Sequence, residues 1–311
     1  MGNAVERPIF IIGAGRSGTT IFYELLAGHR HLGWFSSYMQ RFPNLPWLAG
    51  LNPLYQIPAL AKRFHNTSGF PRPSEAHLIW DKFHPMANSL GGPPLTEQEA
   101  NAADTDGLYR FIRSVLRFSG RERFMNKNTR NTRRSRYLRA LFPDAYFIHV
   151  IRDGRAVTSS LLKINWWPTL SLWWAGGKTP TQLEAEGMDP VLVAARNWKM
   201  EVERMLQDKE HIAQELYMEI RYEKLMQDPA TEMKKVLDFC KLPWTSQFQA
   251  HIQAFDLISK NFKWGEGFKA QQIVTIEEEI GPLLKRLGYG LVSSASLSFE
   301  SRNSPEKVRR S

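Results

Sequence analysis

Between Gly13 and Thr20 the chain reads Gly-Ala-Gly-Arg-Ser-Gly-Thr-Thr, a run of small and hydroxyl residues with one cation, Arg16. Side chains this small let backbone amides approach a ligand, and the chemistry that uses such amides is the binding of an anion, above all a phosphate. Ser17, Gly18, Thr19 and Thr20 are the candidates for that contact. A second anion-type stretch, Arg152-Asp153-Gly154-Arg155, lies far down the chain. Ser160 follows Arg152 by about two helical turns. A guanidinium and a hydroxyl can meet on one phosphate if the chain folds back there. The plainer reading of Arg152 is an ion pair with Asp153 or Asp144, and that of the first loop a strand-to-helix turn without a ligand.

Two phosphate-binding patterns are approached and missed. Gly13 to Gly18 has the outline G-x-x-x-x-G-K-[ST], but Thr19 stands where the lysine that bridges the β- and γ-phosphates belongs. Gly13, Gly15 and Gly18 also spell G-x-G-x-x-G. A dinucleotide fold then needs an acidic residue about 20 positions on, and the sequence LGWFSSYMQ there has none. The loop suits a nucleotide that is neither a triphosphate hydrolysed in the usual way nor a dinucleotide.

Elements able to position these loops are legible. Ile9–Ile12 and Ala145–Ile151 are short apolar runs of the kind that form buried parallel strands. Each runs into a loop and then into helical periodicity, with Ile21, Phe22, Leu25 and Leu26 after the first. This predicts an α/β fold with a P-loop-like parallel sheet flanked by helices. Ligands of such sheets bind beyond the carboxyl ends of the strands, which is where Arg16 and Arg152 fall.

Together the two stretches resemble the sulfotransferases that use 3'-phosphoadenosine-5'-phosphosulfate (PAPS), most closely the bacterial-type and tyrosylprotein-type branch. Arg16-Ser17-Gly18-Thr19-Thr20 resembles their 5'-phosphosulfate loop, and Arg152 with Ser160 their 3'-phosphate motif. Phe124-Met125-Asn126-Lys127-Asn128-Thr129 is similar to the segment that supplies a lysine beside the transferred group. Arg221-Tyr222-Glu223-Lys224-Leu225 and Leu242-Pro243-Trp244 also match, as do Asn261-Phe262-Lys263-Trp264 and Pro282 to Tyr289. The resemblance implies that PAPS is the sulfuryl donor and that no metal is needed. By it, Tyr222 flanks the nucleotide, Asn261 and Lys263 close over the 3'-phosphate, and Lys127 neutralises the leaving oxygens. For Lys127 the plainer reading is one more cation in a basic stretch.

The general base is where the chain departs from that family. Cytosolic members carry histidine two places after the lysine, where Thr129 stands. Many relatives carry glutamate soon after the first helix, where Trp34-Phe35-Ser36-Ser37 stands. Candidates for a replacement base are Glu75 and His77, with His84 third. A carboxylate beside a basic pocket and apolar walls can take a proton. The plainer reading places Ser74 as a helix N-cap and Glu75 in the first helical turn. The missing base also leaves room for a non-catalytic nucleotide-binding protein. A P-loop small-molecule kinase is the other alternative; it would depend on Mg²⁺.

The 311 residues, 42% of them apolar, suffice for one sulfotransferase domain over residues 1–290. Residues 34–105 and 164–189, rich in Pro, Trp and Gly, read as substrate-side insertions forming a cap of short helices and loops. Trp166, Trp167, Trp173 and Trp174 beside Gly176-Gly177 suit either a mobile lid or a packed loop. They point to a small-molecule acceptor hydroxyl or amine with an apolar or aromatic body, although a carbohydrate can stack on tryptophan as well. Residues 106–163 read as helix, helix, strand, helix. Residues 190–215 read as one long helix, Leu216–Ile220 as a strand, and residues 291–311 as a disordered tail.

Cys240 is the single cysteine, which excludes an internal disulfide and suits a helical core position in a reducing compartment. With no 18-residue apolar run and no signal region, a cytoplasmic enzyme without a membrane span is expected. The 8 histidines include no H-E-x-x-H pattern and no Cys/His pair at ligand spacing, so no metal site is expected. The net charge is +10. Its concentration between Arg121 and Arg139 reads as an amphipathic helix with a solvated basic face that steers a polyanionic donor. No nucleic-acid motif accompanies it.

Overall fold

A computed structural model of the chain describes residues 5–64, 67, 69–84, 91–255, 257 and 264–292. Five parallel strands form one sheet in the order β2-β3-β1-β4-β5: β1 (Ile9–Ile12), β2 (Leu32–Gly33), β3 (Arg123–Lys127), β4 (Tyr146–Ile151) and β5 (Tyr217–Arg221). Register is fixed by pairs such as Ile11 opposite Lys127 on one side and Ile148 on the other. Strand side chains alternate between faces. Phe10, Ile12, Phe124 and Phe147 therefore enter one core, with Trp198 and Ile280 from the helices Pro190–Lys209 and Ala270–Arg286. Ile9, Ile11, Met125, Ile148 and Val150 enter the other, with Phe22, Leu25 and Leu237 from the helices Thr19–Ala27 and Pro229–Cys240. Both faces are covered, as a parallel sheet requires.

The segment read as helix, helix, strand, helix contains a further strand. After the helix Thr105–Ser119 comes β3, then the helix Ser135–Leu141, then β4. Only two of the five residues of β3 are apolar, yet all five are buried. Its polar ends are satisfied by tertiary partners. Arg123 donates to the carbonyls of Arg7 and Cys240, and its guanidinium lies 4.6 Å from the centre of the Tyr146 ring.

The basic amphipathic helix expected from Arg121 to Arg139 is likewise corrected. Its α-helical part is only Ser135–Leu141. Arg134 is fully buried, donating to Asn131 Oδ1 at 2.8 Å and lying over Trp80 at 4.9 Å. A charge run on paper is here divided between core and site, with Arg139 left exposed. Cys240 sits in the core of its helix, where burial pushes its thiol up to about 12. The helix starting at Pro190 ends at Lys209, and the strand read from Leu216 runs from Tyr217 to Arg221.

The two Trp- and Pro-rich segments hold short pieces. Residues 37–64 include the 3₁₀ run Pro46–Gln56. Trp173 and Trp174 are tied by their indole N–H groups to Glu201 Oε1 at 2.9 Å and Asn197 Oδ1 at 3.0 Å on the helix Pro190–Lys209. Residues 293–311, most of the tail expected to be disordered, lie outside the described residues.

Candidate functional site

Four neighbouring strands deliver their carboxyl-terminal residues to one place. The loop after β1 comes first, Lys127 ends β3, Arg152 follows β4, and Tyr222 follows β5. The sheet reverses its winding at β1, which makes this edge the topological switch point. A cavity of about 950 Å³ opens there. Gly15, Arg16, Gly18, Thr19, Thr20, Glu75, Lys127, Arg152, Ser160 and Tyr222 all line it. Ser17 does not. Its hydroxyl is turned inward and has no hydrogen-bond partner among the described residues. Asn261 and Lys263 lie outside the described residues.

The loop is built for close approach. Gly18 caps the helix Thr19–Ala27 at φ 87°, with no side-chain cap, so the first-turn amides meet the cavity uncovered. Arg16 is itself left-handed, at φ 70°. Its Nε donates to Ser160 Oγ at 3.0 Å, and its carbonyl accepts from Arg152 Nη1 at 2.9 Å. The two loops are thus joined before any ligand arrives. Arg152 stacks over the Tyr222 ring at 4.4 Å, and its neighbour Asp153 pairs with Arg155 instead.

Glu75 and Lys127 form an ion pair beside Thr20, whose hydroxyl lies 3.1 Å from Lys127 Nζ. The other carboxylate oxygen of Glu75 accepts from the Thr129 amide (3.2 Å), the Thr129 hydroxyl (3.0 Å) and His77 Nε2 (3.2 Å). Burial pushes the Glu75 carboxyl up, but the charge of Lys127 and the hydrogen bonds from His77 and Lys127 outweigh it. They hold the group well below the usual carboxylate range. Arg130 Nη1 lies 3.0 Å from His77 Nδ1. A guanidinium only donates, so Nδ1 accepts and Nε2 carries the hydrogen that meets Glu75.

Glu75 is not in the first turn of a helix. Ala76 adopts a left-handed conformation at φ 54°, and the helix begins at His77. Ser74 Oγ accepts from the Ala76 amide rather than capping that helix. His84 is buried away from the cavity, stacked on Tyr137 with Nδ1 3.1 Å from its hydroxyl, so it has no access to a reacting group.

A second cavity of about 370 Å³ shares Gly15, Glu75, Thr129 and Trp166 with the first. Its remaining walls include His77, Arg130, Arg133, Leu170, Leu172 and Trp173. Glu75 therefore stands where a polar, cationic cavity meets a smaller and more apolar one.

Sequence reasoning missed Lys163 and Trp264, both on the larger cavity. Lys163 lies one turn beyond Ser159 and Ser160, a helical spacing that could have revealed it. Trp264 stacks on Arg155 at 4.5 Å, and no local pattern announces that contact.

A doubly covered parallel sheet with a glycine-rich loop at its switch point, cations converging from two further strands and a tyrosine from a third, defines a nucleotide-dependent group transferase of P-loop-like architecture. The chain belongs to the sulfotransferase family, with residues 8–246 matching it, and sulfuryl transfer is its reaction. It is 22% identical over 302 residues to protein-tyrosine sulfotransferase A of Caenorhabditis elegans, covering 90% of this chain and 67% of that protein. It is 25% identical over 318 residues to the omega-hydroxy-beta-dihydromenaquinone-9 sulfotransferase Stf3 of Mycobacterium bovis, covering 91% and 76%. Sulfotransferase STF9 of Mycobacterium avium shares the fold with a TM-score of 0.58 at 20% identity, over 93% of this chain and 78% of that one.

Proposed function

We propose that this protein moves the sulfuryl group of PAPS to the hydroxyl of a small molecule with an apolar or aromatic body. The observation that supports this most is the Glu75–Lys127 pair at the junction of the two cavities. The larger cavity fits the donor. Its cations are Arg16, Lys127, Arg152 and Lys163, and a helix N-terminus opens into it. In this reading the loop and Arg16 hold the 5'-phosphate, Arg152 and Ser160 hold the 3'-phosphate, and Tyr222 flanks the nucleotide. The smaller cavity takes the acceptor against Trp166, Leu170, Leu172 and Trp173. The mycobacterial relative, by its name, sulfates a hydroxylated menaquinone, an acceptor of this character.

The acceptor oxygen attacks sulfur in line, the bond from sulfur to the 5'-phosphate oxygen breaks, and adenosine 3',5'-bisphosphate leaves. Glu75 receives the acceptor proton. In the resting protein its ion pair makes it a weak base. As charge develops on the leaving oxygen, Lys127 turns toward it and releases Glu75. The carboxylate gains basicity when the proton must be taken. His77 then acts as a positioning residue, since its hydrogen-free nitrogen is occupied by Arg130.

Calorimetric titration with adenosine 3',5'-bisphosphate, compared with ADP and NAD, tests the reading. Preference for the bisphosphate, followed by PAPS-dependent sulfation of an aromatic or aliphatic alcohol, is the expected result. Equal or absent binding would overturn the donor assignment.

A further inference from the structure

The 3₁₀ run Pro46–Gln56 carries an apolar ridge that the transferase site does not use. In a 3₁₀ helix residues three apart eclipse one another, with a rise of about 2 Å per residue. Amide-to-carbonyl bonds link Leu45 to Phe42, Leu48 to Leu45, and Ile57 to Leu54. Leu45, Leu48, Leu51, Leu54 and Ile57 therefore follow one line, all but the half-buried Leu48 exposed, and the exposed Phe42 precedes it, joined to Leu45 by that bond. The line from Leu45 to Ile57 is about 24 Å long at that rise.

The opposite ridge is firmly held. Ala49, Asn52 and Tyr55 are buried, Asn52 Nδ2 donates to the Trp34 carbonyl at 2.7 Å, and Tyr55 packs edge-on against Trp34. The apolar line is thus presented to solvent by a fixed segment. Trp47, 54% exposed, stands on the third face of the run. The helix Thr105–Ser119 packs on the same segment and brings the exposed Phe118 beside Gly50.

Charge identifies the partner. From Leu25 to Ser74 the sequence has no Asp or Glu, whereas it has Arg30, Arg41, Lys62, Arg63 and Arg72. Arg41, just before the ridge in the chain, and Lys62 and Arg63, on the helix Pro58–Phe64 that follows it, are exposed. An exposed apolar line with a tryptophan, in a stretch of chain that carries cations and no carboxylates, is complementary to a bilayer whose headgroups are anionic. We propose that this face docks the protein on the surface of an anionic lipid bilayer, with the ridge entering the headgroup region and the basic residues against lipid phosphates. This goes beyond the transferase reading and does not depend on it.

The test is co-sedimentation of the full chain with vesicles of phosphatidylcholine containing about a third phosphatidylglycerol, against vesicles of phosphatidylcholine alone. Binding at least about tenfold tighter to the anionic vesicles, and weakened by salt, is expected. The Leu51→Ser/Leu54→Ser variant should lower the partition about tenfold or more, and Lys62→Glu/Arg63→Glu should do the same while flattening the salt dependence. The altered residues are exposed, so melting temperature and nucleotide binding should stay unchanged and act as the folding control. Absence of binding by the unaltered protein overturns the proposal, as does binding by both variants as tight as that of the unaltered protein. A concentration-dependent dimer that Leu51→Ser/Leu54→Ser abolishes, without vesicle binding, would assign the ridge to a second copy of this chain and also overturn it.

Discussion

Replacing Glu75 by Gln separates the proposed base from its surroundings. In the native protein four donors meet two carboxylate oxygens: Lys127 on one, and the Thr129 amide, the Thr129 hydroxyl and His77 on the other. Glutamine keeps one oxygen. If that oxygen faces Thr129 and His77, its NH₂ group confronts the Lys127 ammonium; if it faces Lys127, the NH₂ group confronts three donors. Either way at least one buried donor loses its acceptor, at a cost of about 1–3 kcal/mol. Lys127, whose side chain is only 5% exposed, also loses its counter-charge. The variant should therefore melt at a lower temperature. A bound nucleotide phosphate gives Lys127 a new anion, so adenosine 3',5'-bisphosphate should raise the melting temperature more in the variant than in the wild type. Sulfation should behave differently. Loss of a general base lowers kcat by about 10²–10⁴, or roughly 3–5 kcal/mol in the barrier. The assay is steady-state sulfation with saturating PAPS, read beside thermal shift with the bisphosphate. A kcat within about tenfold of wild type would refute the base assignment. A smaller thermal shift than in wild type would refute the account of Lys127.

Arg152→Ala should weaken adenosine 3',5'-bisphosphate binding by about 1.5–3 kcal/mol, the range for a charged hydrogen bond, and ADP binding by less. Calorimetry showing equal loss for both nucleotides would mean that Arg152 serves only to hold the Arg16 carbonyl. Gly18→Ala should destabilise the fold by about 1–2 kcal/mol from the left-handed backbone alone. It should also displace Tyr222, because the added methyl would lie 2.2 Å from the ring, and nucleotide binding should fall with it. Gly15→Ala, with nothing within 4 Å, should leave melting unchanged, and equal melting losses in the two variants would contradict this geometry. Acid should unfold the protein early. Burial holds His29, His149 and His251 down to about 4, so each is neutral when folded and binds a proton when unfolded. Their contribution is fully present above about pH 6.5 and is lost as pH falls toward 4; between pH 7.5 and 5.5 the three together remove up to about 4 kcal/mol. Urea midpoints that do not fall over that interval would show that these histidines titrate normally.

Local pattern made much of the larger cavity's lining readable. β1 is a continuous apolar run, and β4 an apolar run broken only by the buried His149, because both faces of a parallel strand are buried, and the loop after β1 is readable because its glycines and hydroxyl residues allow its amides to be approached. The order of the strands explains why Arg16, Lys127, Arg152 and Tyr222 share one edge, but that order is not written in any single segment. β3 was hidden because its arginine, asparagine and lysine are buried against partners far away in the chain. Arg123, for instance, reaches the carbonyl of Cys240.

By itself, then, the sequence determined the strand-loop-helix units and the small-residue, arginine-bearing character of their loops, since backbone conformation and side-chain size act over a few residues. Only the tertiary structure decided that Glu75 meets Lys127 across 52 positions, that His77 turns its hydrogen toward Glu75, and that the arginines after Gly120 divide between core and surface. Those outcomes depend on which distant groups share a low-dielectric space. There, a charge persists only where hydrogen bonds, opposite charges or aromatic faces meet it, a balance that spacing along the chain does not encode.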